Sequence, residues 1–212
     1  MNIVILKYNA GNIESVNNAL NRLGVNAEIT ADHEKIKSAD KVIFPGVGEA
    51  RTTMDYLKKH GLDKVIISLK QPVLGICLGL QLMCSHSEEN DTPCLGIFEE
   101  KVKRFTPKPG EEYITKVPHM GWNSISGLKS SIFSKELEDK YVYFVHSYYA
   151  STGEHTAATC NYIVPFSAAL KKDNFYATQF HPEKSGSIGA KILENFLKLG
   201  KVWEIGKAVE VD

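Results

Sequence analysis

Pro72-Val73-Leu74-Gly75-Ile76-Cys77-Leu78-Gly79 is an apolar strand running without a linker into a Gly-x-Cys-x-Gly turn. A helix containing Leu82 and Met83 follows at once. A side chain at such a strand-to-helix turn is forced outward, and its neighbours at −2 and +2 must be small to avoid collision. The helix aims its N-terminus at the sulfur, where the dipole favours negative charge. The Leu78 N–H is placed to donate to an oxyanion. Read alone, the pentapeptide fits a buried structural cysteine as well as an exposed nucleophile.

Outward from this turn, short apolar runs alternate with helical patterns, the signature of parallel βαβ units. Ile3–Leu6, Val25–Thr30 and Val42–Phe44 read as strands, the last stopped by Pro45-Gly46. Between them, Ile13, Val16, Leu20 and Leu23 share one helical face. Ala50–Lys59 reads as a helix closed by Gly61. Beyond residue 86 the chain becomes polar and turn-rich, with strand-like pieces at Val102–Phe105 and Tyr141–Val145. Ser167–Leu170 and Phe175–Gln179 form a hairpin, and Ile188–Leu199 is the last helix. The expected fold is α/β: one open, mostly parallel twisted sheet with flanking helices and a nucleophile elbow. Residues 1–200 make one domain, and 201–212 are an extension.

Composition narrows the function classes. Lys plus Arg equals Asp plus Glu at 25 each, so no net charge draws the chain toward nucleic acid or an anionic membrane. No segment reaches the roughly 18 apolar residues of a membrane span, and Ile3–Leu6 is too short for a signal-peptide core. Cys77, Cys84, Cys94 and Cys160 show neither CxxC nor metal-like spacing, so no metal or cofactor is expected. They read as free thiols in a cytoplasmic protein.

Two further motifs sit at strand ends. In Phe180-His181-Pro182-Glu183, residues i and i+2 of an extended chain project to one side, so Glu183 reaches the His181 imidazole. A strand-end histidine with a solvated glutamate two residues on is the alternative. In Phe44-Pro45-Gly46-Val47-Gly48, two glycines let the backbone approach a ligand and offer amide N–H groups. An ordinary strand-to-helix turn would read the same. Parallel sheets bind ligands at the carboxyl ends of their strands, where all three motifs fall.

Gly75–Gln81 and Phe180–Glu183 together resemble the paired signatures of the class I, triad-type glutamine amidotransferases. Pro45–Gly48, Pro118-His119-Met120-Gly121-Trp122-Asn123, Tyr143–Tyr148 and Lys184-Ser185 narrow the resemblance to the glutaminase subunits of imidazole glycerol phosphate synthases. Lys7–Asn12 departs from the acidic, glycine-containing start of many members, which touches local detail near a partner surface.

The resemblance implies Cys77 as nucleophile, His181 as acid and base, and Glu183 as its orienter. It places the oxyanion hole at Gly46, Val47, Gly48 and Leu78. It assigns Gln81, Glu89, Ser147 and Tyr148 to glutamine, although Glu89 also reads as part of a solvated loop. It implies that ammonia passes to a separate (β/α)₈-barrel synthase subunit, making imidazole glycerol phosphate and an aminoimidazole carboxamide ribotide in histidine biosynthesis. Asn12, Pro118, Met120, Trp122, Asn123 and Lys184 are its expected contacts. The fold fills the sequence and leaves no ammonia-consuming domain. Other readings are a glutaminase serving a different synthase, a cysteine or dienelactone-type hydrolase, and a non-catalytic binding subunit.

Overall fold

The computed structural model describes residues 1–9, 11–110, 113 and 115–200. The extension read at 201–212 lies outside these described residues. β1 (Ile3–Leu6) is buried at every position, as a strand covered by helices on both faces must be. α1 (Ile13–Arg22) turns Val16, Ala19 and Leu20 inward and leads to β2 (Ala27–Thr30) at the sheet edge. α2 (His33–Ser38) is capped by the Asp32 carboxylate, which accepts from the Lys35 N–H at 2.9 Å. β3 (Lys41–Gly46), α3 (Ala50–Lys59), α4 (Leu62–Ser68), β4 (Val73–Cys77) and α5 (Leu78–Met83) complete the first half.

One expectation is corrected here. Pro45-Gly46 does not stop the third strand; both residues stay in β3, opposite Ile76 and Cys77. The Val42 N–H donates toward the β4 side, to the Pro72 carbonyl, so alternation turns Pro45 toward β1. Pairing with β1 has ended at Ile43, and the missing proline N–H therefore breaks no ladder bond. Gly61 (φ 67°) closes α3 as expected, just past the His60 cap, with its N–H donating to the Lys58 carbonyl at 3.1 Å. It turns the chain directly into α4, whose Leu62, Val65 and Ile66 are buried at i, i+3 and i+4.

In the second half, β5 (His86–Ser87), β6 (Thr92–Pro93) and β7 (Lys101–Arg104) are short. β8 (His119–Ser124) pairs antiparallel with β9 (Tyr141–His146), and β10 (Tyr148–Ala150) closes a small sheet in the order β10-β7-β5-β6. β11 (Thr156–Asn161), β12 (Pro165–Lys172) and β13 (Phe175–Thr178) then join the main sheet, and α6 (Gly186–Lys198) packs on it. The seven-stranded order is β11-β12-β13-β4-β3-β1-β2, with β12 alone running against the rest. The expected hairpin is β12–β13, turning at Asp173-Asn174 with Asp173 at φ 49°.

Alternate residues of the parallel strands feed two separate cores. Ile3, Ile5, Ile43, Leu74 and Ile76 pack with α1 and α6 on one face. Val4, Leu6, Val42, Phe44 and Val73 pack with α2 to α5 on the other. The sheet is thus filled on both sides, and the chain ends of β3, β4 and β13 are held rigidly together above it.

Candidate active site

The elbow is built by steric necessity. Cys77 sits at φ 54°, ψ −104°, a backbone state that costs an L-residue energy and that flanking structure must impose. A side-chain carbon on Gly79 would collide with the Phe44 carbonyl oxygen. One on Gly75 would lie 3.0 Å from the Gly79 carbonyl carbon and from the Met83 sulfur. Both glycines of the motif are therefore required by the turn, and Cys77 lines a cavity of about 340 Å³. Val47, Gly48, Leu78, Gln81, Glu89, Pro118, His146, Ser147 and Tyr148 share that cavity. Gly46 does not line it. It lies within β3 opposite Cys77, where a side chain would meet the Tyr8 hydroxyl and the Leu78 Cβ.

His181 and Glu183 follow β13, in an extended residue and a short 3-10 turn opened by Pro182. The His181 Nδ1–H donates to Glu183 Oε1 at 2.7 Å, and both side chains are fully buried. A carboxylate only accepts, so Nδ1 keeps its proton and Nε2 is the nitrogen that can exchange one. Nε2 is buried without a hydrogen-bond partner. Burial opposes a charge on this imidazole. The charge of Cys77, and then of Glu183, outweighs that and holds its pKa above the ordinary histidine range. An imidazole anchored through Nδ1, whose other nitrogen can take or release a proton beside Cys77, is equipped to move a proton.

The expected glutamine contacts are largely committed to one another. Gln81 Nε2 donates to the Tyr148 carbonyl at 2.9 Å and to Gln179 Oε1 at 3.1 Å, and Gln179 Nε2 reaches the Cys77 sulfur at 3.7 Å. The Tyr148 carbonyl also accepts from His146 Nδ1 at 2.7 Å. The Ser147 carbonyl accepts from the Phe105 N–H. Glu89 is not simply solvated: its carboxylate accepts from the Ala50 N–H at 2.8 Å, and burial raises its pKa.

Sequence reasoning missed a histidine relay behind this wall. His146 donates from Nδ1 to Tyr148, so its Nε2 accepts from His119 Nδ1 at 3.1 Å. His119 Nε2 in turn faces the Asn123 amide nitrogen at 3.5 Å. Burial drives His119 down to about 4 and His146 down to about 3, so both are neutral and every donor in the chain points the same way. With both ring nitrogens engaged, His146 has no lone pair for catalysis.

Of the expected partner contacts, Met120 and Trp122 are more than half exposed, at 63% and 56%. They share a face of β8–β9 with Tyr141 and Tyr143. Lys184 is exposed, Asn123 is half-buried, and Pro118, after a cis peptide, lines the cavity. Asn12 is half-buried and directs its amide at Glu183.

The family described as "Glutamine amidotransferase class-I" matches residues 4–199. The imidazole glycerol phosphate synthase subunit HisH of Bacteroides fragilis strain YCH46 is 64% identical over 94% of this chain and 100% of its own. The chain belongs to the class I glutamine amidotransferases, among these HisH subunits. The HisH subunit of Haemophilus influenzae strain Rd is 47% identical over 93% of this chain and 98% of its own. A solved glutamine amidotransferase superposes with a TM-score of 0.70 at 19% identity, covering 92% of this chain and 97% of that one. PurLQS from Thermotoga maritima does so at 0.66 and 12%, covering 93% and 97%. This glutamine amidotransferase is thus an enzyme subunit of histidine biosynthesis, and the hydrolase and non-catalytic readings fall away. No helix among its described residues is long and apolar enough to cross a membrane.

Proposed function

We propose that the amidotransferase hydrolyses glutamine through a thioester on Cys77 and delivers the ammonia to a barrel-shaped synthase subunit. The observation that carries this reading is the buried His181 Nε2, unpartnered while Nδ1–H is fixed on Glu183. Cys77 attacks the glutamine carboxamide carbon after His181 takes its proton. The oxyanion is held by the Leu78 N–H at the α5 N-terminus, whose first amides have no intrahelical partner, and by backbone N–H groups of Val47 and Gly48. His181 returns the proton to the leaving nitrogen, and ammonia departs. Water, deprotonated by His181, then cleaves the thioester to glutamate and free Cys77. The cavity volume falls at the low end of small-molecule sites, roughly 300–1,000 Å³, which suits a single amino acid.

The exposed Met120, Trp122 and Tyr141 face supports a partner docked over β8–β9. Gly48 stands at φ 129°, a conformation that favours glycine, and this conformational freedom supports a loop reset when that partner binds its own ligand. Four free cysteines suit a reducing cytoplasm. Mixing the full chain with its barrel subunit and glutamine should release glutamate and yield imidazole glycerol phosphate. Glutamate release with no transfer to the barrel's product would overturn the partner assignment.

A further inference from the structure

Asn12 occupies the residue just before α1, where an asparagine side chain normally caps the first helical amides. Here it makes no such cap. It also stands at φ 71°, the left-handed region that an L-residue enters at a cost. Two local preferences are given up at one position. What they secure is a hydrogen bond 171 residues away: Asn12 Nδ2 donates to Glu183 Oε1. The carboxylate cannot donate, so the amide nitrogen, and not the oxygen, faces it. The 3.4 Å approach of the same nitrogen to His181 Nδ1 is a contact between two donors.

The Glu183 carboxylate has little else. Oε1 accepts from His181 and Asn12, while Oε2 is buried without a partner. Asn12 therefore supplies one of the two hydrogen bonds that hold a buried charge in place. The same loop also touches the other side of the site. Tyr8, whose hydroxyl burial keeps protonated, donates to the Pro45 carbonyl just before Gly46-Val47-Gly48. A side-chain carbon on Gly11 would lie 3.1 Å from a Val47 methyl.

We propose that Asn12 is a positioning residue of the triad, its amide fixing the Glu183 carboxylate against His181 from a loop that also braces the oxyanion strand through Tyr8. This rests on the triad reading above and deepens it. Asn12 does not line the glutamine cavity, so its effect belongs in kcat and not in KM.

The test measures glutamate release by the full chain in complex with its barrel subunit. Asn12→Gly is the variant of choice, because glycine accepts φ 71° without strain and removes only the amide. Losing one hydrogen bond to a buried charge should lower kcat about 10- to 100-fold, with KM for glutamine held within about twofold. Asn12→Asp, which sets a second carboxylate against Glu183, should lose at least as much. In a Glu183→Gln background, Asn12→Gly should cost nothing further, because its target charge is gone. A parent-like kcat in Asn12→Gly, or a full additive loss on top of Glu183→Gln, would overturn the proposal. Cys77→Ala in parallel separates the two failures: if it is inactive while Asn12→Gly is parent-like, only the positioning role falls.

Discussion

His181 Nδ1 lies 2.7 Å from Glu183 Oε1, and nothing but protein surrounds either side chain. A pair so buried fixes the tautomer as well as the position of the ring. Glu183→Gln should lower kcat about 10²-fold or more, since positioned acid–base catalysis typically contributes 10²- to 10⁴-fold. The check is steady-state glutamate release in the partner complex, with KM for glutamine unchanged because Glu183 does not line the cavity.

Gly79 marks where the turn has no room. With the Phe44 carbonyl oxygen in the way, Gly79→Ala forces α5 off β3. Overpacking of this kind costs about 1–3 kcal/mol. For a chain of this length the thermal midpoint should drop by about 2–12 °C. Gly96→Ala is a poor control, because Gly96 itself holds φ 68°.

The elbow and its partner motifs were legible because each is local. Gly75-Ile76-Cys77-Leu78-Gly79 and His181-Pro182-Glu183 carry their chemistry within five residues, and β1, α1, α3 and α6 carry clear periodicities. β8 and β11 were not legible: His119–Ser124 mixes His, Met, Trp and Asn, and Thr156–Asn161 is mostly small residues. Their strand state comes from pairing with β9 and β12. The histidine relay joins residues 27 apart, and the Asn12 bond joins residues 171 apart. Neither leaves a mark in local sequence. Asn12 was expected at a partner surface from the family resemblance, which says nothing of where its amide points.

The relay makes stability depend on pH. Burial lowers the pKa of both His119 and His146, to about 4 and about 3, so the unfolded chain binds protons near pH 6.5 that the folded chain refuses. Their contribution is therefore complete above the unfolded value and is lost as pH falls from about 6.5 toward 4. His181 runs the other way: its raised pKa favours the folded state below pH 6.5, and that part fades as pH rises. His119→Gln keeps a donor and an acceptor but cannot titrate. Urea midpoints at pH 7 and pH 5 should show a smaller acid loss in that variant than in the parent.

Trp122 is more than half exposed and stacks edge-on with Tyr143 at 6.0 Å. Its truncation should therefore leave the thermal midpoint of the isolated chain nearly unchanged. As an aromatic anchor at the proposed interface, Trp122→Ala should weaken the barrel complex about tenfold or more. Isothermal titration of the two full-length subunits measures this directly.

The central claim is that Cys77 is the nucleophile. Glutamate release by Cys77→Ala in the partner complex, with ammonium-dependent product formation measured on the same sample, tests it most directly. Glutamate release should fall by about 10³-fold or more, as loss of a nucleophile does in comparable triads, while ammonium still supports the barrel's reaction. Glutamate release at the parent rate would contradict the account.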